Sequence, residues 1–281
     1  MARIVGGVTT SHIPAIGNAM TNKLEQTPYW KRFFDGYKPV KKWLAEVDPD
    51  IAIVVYNDHG LNFFLDKMPT IALGCADEYH NADEGWGLQT LRTFQGDAQF
   101  SWHLAEALVD QDIDITTCQE MLVDHGFIVP MALMWGHLPE WPVKGIPLAI
   151  NTVQHPIATA RRCYQLGKAL RRAIESYPED LKVVIFGTGG MSHQLQGERA
   201  GIIDVDFDLK CMDSVVNDPE WLASLSTAEL IEKAGTEGVE TIMWLVMRGA
   251  LHPNVNVIHR HYHVPISNTG AGVLVLENPQ P

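Results

Sequence analysis

Three ionisable residues far apart in the chain, His12, His59 and Glu240, supply two imidazoles and a carboxylate. Two histidines and one carboxylate on an octahedral iron leave about half of its positions open. Open positions suit a reaction in which an organic molecule and dioxygen meet on one metal. His193 adds a group of another kind. With an ordinary pKa of about 6.5 an imidazole exchanges protons at neutral pH, whereas a phenolic hydroxyl, at about 10, keeps its proton unless a base takes it. Each residue also has a plainer reading. His12 and His59 fit structural histidines bonded to backbone, Glu240 fits a complement to the positive end of its helix, and His193 fits a fourth ligand or a packing residue. Glu240, however, opens a helix that is apolar nearly all round, VETIMWLVM, where a buried carboxylate is costly unless paired or metal-bound. His125 in VDHG has the same ambiguity, with Asp124 able to orient an imidazole or to cap a turn.

These residues sit where strands end. Arg3 to Thr10 reads as a strand stopped by Ser11, His12 and Pro14; Ile51 to Tyr56 is continuously apolar and ends in Asn57, Asp58 and His59. Lys182 to Phe186 stops at Gly187, Gly189 and Gly190, a turn that delivers Ser192 and His193. Further strands are expected at Thr70 to Gly74, 147 to 153 and Val273 to Leu276. Helices are expected at Pro39 to Glu46, Ala98 to Val109, Ala158 to Ser176 and Gly238 to Arg248. Continuous apolar strands alternating with helices predict an α/β fold: one domain over residues 1–281, a central mixed sheet flanked by helices, and the site at strand ends, where such sheets bind ligands.

Composition narrows the partners. With 21 Lys and Arg against 34 Asp and Glu the net charge is −13, which disfavours nucleic acid and anionic membrane. The longest apolar run, Phe127 to Trp135, is about half of the ~18 residues of a spanning helix, and the N-terminus reads as mature protein without a leader. Cys75, Cys118, Cys163 and Cys211 form no CxxC pair, so a reducing cytoplasm is the expected home. Several motifs fail. GTGG lacks the lysine of a phosphate loop and the last glycine of a dinucleotide fingerprint, and Gly190, Ser192 and Gln194 miss GxSxG. Asp204, Asp206 and Asp208 start like a calcium loop, but Leu209 and Val215 replace its glycine and glutamate; they read as a solvated face. His259, His261 and His263 alternate as on one strand face, as metal ligands or as an ordinary polar strand.

Seven stretches point further: TSHIP around His12, YNDH around His59, NADEGWG from Asn81, VDHG around His125, GTGGMSHQLQG around His193, EGVETIMWLVMRGAL around Glu240 and YHVPISNT around Ser267. Together, over nearly the whole chain, they resemble the catalytic β subunits of the class III extradiol ring-cleavage dioxygenases, of the protocatechuate 4,5-dioxygenase type. The resemblance implies that His12, His59 and Glu240 bind Fe(II), that His193 is the acid and base, and that Asn57, His125 and Ser267 contact substrate. That substrate would be a carboxylated catechol such as protocatechuate, cleaved by O2 in aromatic or lignin-derived catabolism, with gallate or a methylated gallate as alternatives. A small helical α subunit on a separate chain, in an α2β2 assembly, is implied as well. Two segments depart from the pattern, Leu88 to Phe94 (LQTLRTF) and Phe127 with Ile128, and both are expected near substrate or subunit contacts. A zinc hydrolase on the same ligands and a non-catalytic binding homologue are the other readings. Loss of a ligand or of the base would mark the latter, and all four residues are present.

Overall fold

The computed structural model describes residues 1–85, 93–137 and 140–279. The chain opens with β1 (Arg3–Thr10) and three helices, α1 (Pro14–Thr21), α2 (Pro28–Asp35) and α3 (Lys38–Val47). Each helix carries a proline in its first two positions, where the missing N–H costs nothing. Then come β2 (Ile51–Tyr56), β3 (Ile71–Gly74), β4 (Glu78–Asn81), β5 (Phe94–Gln95), α4 (Ala98–Val109), β6 (Thr116–Cys118), β7 (Leu122–Val123), α5 (His125–Trp135) and β8 (Lys144–Ile150). The rest is α6 (Ala160–Glu175), β9 (Lys182–Thr188), α7 (Val205–Asn217), α8 (Pro219–Ser224), α9 (Thr227–Ala234), a 3₁₀ turn (Gly238–Thr241), α10 (Ile242–Ala250) and the hairpin of β10 (Asn256–Ile266) and β11 (Thr269–Glu277).

Eight strands make one mixed sheet in the order β10, β11, β1, β9, β2, β8, β3, β6, and β4, β5 and β7 form a small second one. The central strands β1, β9, β2 and β8 are parallel, while β11 and β3 join them antiparallel. Successive side chains alternate between two cores. Ile51, Ile53 and Val55 of β2 pack with α4, α6 and α10; Ala52, Val54 and Tyr56 pack with α1, α2, α3 and α5. The pivotal helix is α10, buried along its whole length. A side chain at Gly167 would strike the Val246 carbonyl, and one at Gly249 the Tyr164 carbonyl, so this glycine pair lets α6 and α10 cross with backbones in contact. That seats the start of α10, and Glu240 just before it, at the ends of β1, β9 and β2.

The α/β fold with a mixed sheet between helices agrees with the sequence reading, and several boundaries move. The strand expected at 147 to 153 runs from Lys144 to Ile150, because the Asn151 side chain accepts from the N–H groups of Val153 and Gln154 and turns the chain. Glu240 lies in the 3₁₀ turn, ahead of α10, and α1 and α2 were not anticipated. Asp208, expected on a solvated face, is 1% exposed. Residues 88–92 lie outside the described residues. No helix among the described residues is long and apolar enough to cross a membrane.

Candidate metal centre

Because β1, β9 and β2 are parallel neighbours, the segments after them emerge side by side. His12 follows β1, His59 follows β2, and His193 follows β9. Thr188, the last residue of β9, ties the first two strands together: its hydroxyl donates to the Val55 carbonyl at 2.9 Å and pairs with His12 Nδ1 at 2.9 Å. A hydroxyl has one proton, and here it is committed to Val55, so His12 must donate from Nδ1. Its Nε2 is then the nitrogen turned to the cavity, and it faces Glu240 Oε2 at 3.4 Å.

His59 repeats the arrangement. Asp124 Oδ2 accepts from the His59 backbone N–H at 2.6 Å and pairs with the ring Nδ1 at 2.9 Å. The proton therefore sits on Nδ1, and Nε2 faces Asn57 Nδ2 at 3.1 Å and Glu240 Oε1 at 3.9 Å. Asp58 holds this loop by accepting from the N–H groups of Gly60, Leu61, Asn62 and Phe63. Glu240 is itself held: Oε2 accepts from Gly190 N–H at 3.0 Å and Oε1 from Asn57 at 3.3 Å. Gly189 has φ +113°, and a side chain there would lie 2.7 Å from Glu240 Cβ, so only glycine fits that turn without strain.

The electrostatics follow from this crowding. Burial alone would raise the Glu240 carboxyl, but the imidazoles of His12, His59 and His193 outweigh it and hold it down to about 2. Burial likewise opposes charge on His59, yet Asp124, with Glu240 and Glu84, carries that imidazole up to about 9. Two ring nitrogens and a carboxylate facing one another are held by a proton or a cation between them, and a metal ion would take the proton's place. Donors on one ion at about 2.1 Å lie roughly 3 Å apart when at right angles, close to the spacing found. The residues therefore fit a divalent metal. Among the described residues the sets of donor atoms that come within 4.8 Å of one another are His12 with His59 and His125, and Glu84 with Asp124 and His125, and Glu240 is in neither. The first set holds no carboxylate, and in the second Asp124 and Glu84 already orient His59 and His125, which leaves Glu240 as the carboxylate facing His12 Nε2 and His59 Nε2.

Of the other expected residues, His125, His193 and Ser267 line one cavity with the candidate ligands. A cavity of about 720 Å³ is bounded by His12, His59, Glu84, His125, His193, Glu237, Glu240 and Ser267, with Ile13, Pro14 and Leu195 among its apolar walls. His125 is buried and stacks on His59 with ring centroids 4.0 Å apart. Its backbone N–H and Nδ1 both pair with Glu84, at 2.6 and 2.8 Å. Burial first, then the His59 charge, lowers the His125 pKa against the pull of Glu84. His193 is 8% exposed, its Nδ1 has no hydrogen-bond partner among the described residues, and burial lowers its pKa against Glu240 and Glu237. Ser267, at φ +50°, forms the tip of the β10–β11 hairpin with Asn268 at φ +56°. Asn57 is 1% exposed and touches His59 and Glu240, and it is absent from the cavity lining.

Two readings are narrowed by the packing. Phe127 is fully buried, stacked on Phe94 at 4.8 Å and edge-on to Tyr56, and neither it nor Ile128 lines the cavity. The rings of His259, His261 and His263 run parallel with centroids 6.3 Å apart, and His259 Nε2 is bound to the Gly36 carbonyl, an arrangement that brings no three donors to one point. Sequence reasoning missed Thr188 and Glu84. Glu84 carried a visible signal, since it lies inside NADEGWG.

Over residues 6–274 the chain matches the family described as the catalytic LigB subunit of aromatic ring-opening dioxygenase. Over 70% of its length it is 46% identical to gallate dioxygenase of Pseudomonas putida, a match that spans 58% of that protein. It is 25% identical, across 96% of itself and 95% of the relative, to the 2,3-dihydroxyphenylpropionate/2,3-dihydroxicinnamic acid 1,2-dioxygenase of Photorhabdus laumondii. Among solved structures, an uncharacterized protein of Escherichia coli K12 superposes with a TM-score of 0.60 at 12% identity, covering 96% of this chain and 99% of the other; that likeness concerns the fold alone. The full-length family match, on a chain whose strand ends gather imidazoles around a buried carboxylate, makes this protein a member of the LigB family of catalytic subunits of aromatic ring-opening dioxygenases.

Proposed function

We propose that the protein opens the ring of a carboxylated catechol beside its hydroxyl pair, using O2 and an Fe(II) held by His12, His59 and Glu240. One observation carries the reading: His12 Nε2 and His59 Nε2, the ring nitrogens not engaged by Thr188 and Asp124, face the same carboxylate at 3.4 and 3.9 Å. When bound, the ferrous ion would supply a Lewis acid for the two hydroxyls and a redox centre for O2. The chain's own residues do the rest. His193, kept neutral at pH 7 by burial, takes a hydroxyl proton and later returns it. His125 gives its Nδ1 proton to Glu84, so its Nε2 accepts a hydrogen bond from the substrate. Asn57 steadies the ligands, and Ser267 at the hairpin tip meets the substrate's carboxylate. Both protocatechuate and gallate carry that group beside adjacent hydroxyls. The family resemblance favours the first, and the 46% identity to a gallate dioxygenase favours the second.

The test is oxygen uptake by protein loaded anaerobically with Fe(II), across protocatechuate, gallate and 3-O-methylgallate. His193→Ala is expected to keep metal and substrate binding while slowing turnover about 10²-fold to 10⁴-fold. No uptake with any diphenol refutes the reading, and unchanged turnover in the variant at neutral pH removes His193 from it. We further assign a small helical partner subunit on a separate chain, forming α2β2; Leu195, 59% exposed at the cavity wall, is apolar surface it would cover. The four free cysteines support a cytoplasmic setting.

A further inference from the structure

Asp208 lies one turn into α7, on the face shared with Cys211, Met212 and Val215, and is almost wholly buried. Its hydrogen-bond donors are all uncharged. Oδ1 accepts from the Ser192 N–H at 2.9 Å and the Ser192 hydroxyl at 2.7 Å, and Oδ2 accepts from the Tyr262 hydroxyl at 2.6 Å. A buried carboxylate without a countercharge is expensive, and a hydrophobic residue at such a position is often as stable or better. The partners suggest what the carboxylate is for. Ser192 immediately precedes His193, and Tyr262 lies on β10, the strand that leads to Ser267. Backbone bonds close the same junction: Met191 N–H to the Gly270 carbonyl at 2.8 Å, Gly270 N–H to the Ser192 carbonyl at 2.9 Å, and a bridge from His193 to Thr269. Any side chain at Gly270 would strike the Asp208 carboxylate.

We propose that Asp208 is a positioning residue: with Ser192 on one oxygen and Tyr262 on the other, its carboxylate clasps the turn carrying His193 to the hairpin carrying Ser267, and so sets the spacing of the two across the cavity. This rests on the roles given above to His193 and Ser267. The clasp also has a protonation limit. Facing Asp208 are Ser192, Tyr262 of β10, Cys211 on its own helix and Asp204, whose N–H bonds the Ser192 hydroxyl at 3.0 Å. Burial, opposed by the Tyr262 and Ser192 bonds, pushes the Asp208 carboxyl up to about 6. The Ser192 N–H can only donate, so a proton on Oδ1 opposes it, while a proton on Oδ2 reverses the Tyr262 bond and replaces a charged acceptor with a neutral acid; either loosens the junction in acid.

The experiment pairs Asp208→Asn, which has one acceptor oxygen in place of two, with the milder Tyr262→Phe. In the Fe(II)-loaded enzyme each is expected to lower kcat/KM about 10-fold to 100-fold, the cost of a small misplacement at a reacting centre, with metal affinity unchanged. In metal-free, histidine-labelled protein at about pH 8, where Asp208 is ionised and His193 neutral, the His193 ring resonance, assigned by comparison with His193→Gln, is expected to shift in Asp208→Asn. A lowered melting temperature with kcat/KM per folded molecule and the His193 signal both intact would mean a structural role only, and overturns the proposal. So does no change in either readout. Wild-type protein that consumes no oxygen with any catechol sinks the functional reading instead, and the His193 resonance still decides whether Asp208 places that imidazole.

Discussion

Asp124→Asn probes the geometry most sharply, because each oxygen of this carboxylate has an obligate backbone donor. Oδ2 accepts from His59 N–H and Oδ1 from Gly126 N–H, at 2.6 and 2.8 Å. Asparagine has one oxygen, so in either orientation its amide opposes one of these N–H groups, at a cost of about 1 to 3 kcal/mol. If the amide faces His59, the ring can no longer donate from Nδ1. The proton then moves to Nε2, the nitrogen assigned to the metal. Loss of such an orienting partner typically lowers metal affinity about 10-fold to 100-fold, or roughly 1.4 to 2.7 kcal/mol.

The pH dependence gives a second handle. His59 is raised to about 9 in the metal-free fold, so it contributes stability that is complete below about 6.5 and disappears as pH rises through 9. Asp124, which burial would raise, is held down to about 2 by His59; its contribution is present above about 4 and is lost as pH falls through 2. The destabilisation of metal-free Asp124→Asn should therefore be largest between about pH 4 and 6.5 and should shrink toward pH 9 and beyond. Metal binding to the wild type must expel the His59 Nε2 proton, so affinity should strengthen from pH 7 to 9 with release of about one proton, an effect the variant loses. Anaerobic calorimetry in buffers of different ionisation heat measures both quantities. Wild-type affinity and proton release in a folded Asp124→Asn protein would refute the assigned tautomer and, with it, the ligand set.

Glu84→Gln should keep metal affinity but raise KM about 10-fold, because the new amide facing His125 Nδ1 turns the cavity nitrogen from acceptor to donor; substrate binding under nitrogen reads this directly. Gly189→Ala places a methyl against Glu240 Cβ at a positive φ, and should cost about 1 to 3 kcal/mol in thermal unfolding together with weaker metal binding. Phe127→Leu should destabilise the fold by about 1 to 2 kcal/mol and leave the ranking of catechols unchanged; a reordered substrate panel would mean the ring reaches the cavity after all.

What the chain displayed in advance was mostly local. The unbroken apolar run of β2, the glycine stop after β9 and the apolar stretch behind Glu240 each announce their element, and the polar residues after the strands announce the crevice. The orienting partners were hidden because they come from elsewhere. Asp124 meets His59 across 65 positions and Thr188 meets His12 across 176, so nothing in VDHG says that its aspartate serves a different histidine from its neighbour. The error at Asp208 was avoidable. Asp208, Cys211, Met212 and Val215 recur at helical spacing, which puts the carboxylate on the apolar stripe, although the acidic series Asp204, Asp206 and Asp208 reads as solvent-facing when taken alone. The helices α1 and α2 span only eight residues each, and Pro14 reads as a strand stop before it reads as a helix start.

The tautomers also separate the ligand reading of the histidines from the structural one. A structural imidazole is satisfied at both nitrogens, one as donor and one as acceptor. Here three imidazoles from three separate segments each give their Nδ1 proton to an outward partner: Thr188 for His12, Asp124 for His59 and Glu84 for His125. The consequence is common to all three. Once His59 gives up its Nε2 proton, as metal binding requires, each presents Nε2 as an acceptor, two of them toward a carboxylate that is itself an acceptor, in a region where burial weakens solvent screening. Such an inner surface repels every neutral acceptor and attracts only donors and cations, which is the condition a divalent ion and the hydroxyl protons of a catechol jointly meet. Three outward anchors from unrelated positions would be an expensive way to satisfy isolated histidines, each of which a single backbone carbonyl could hold.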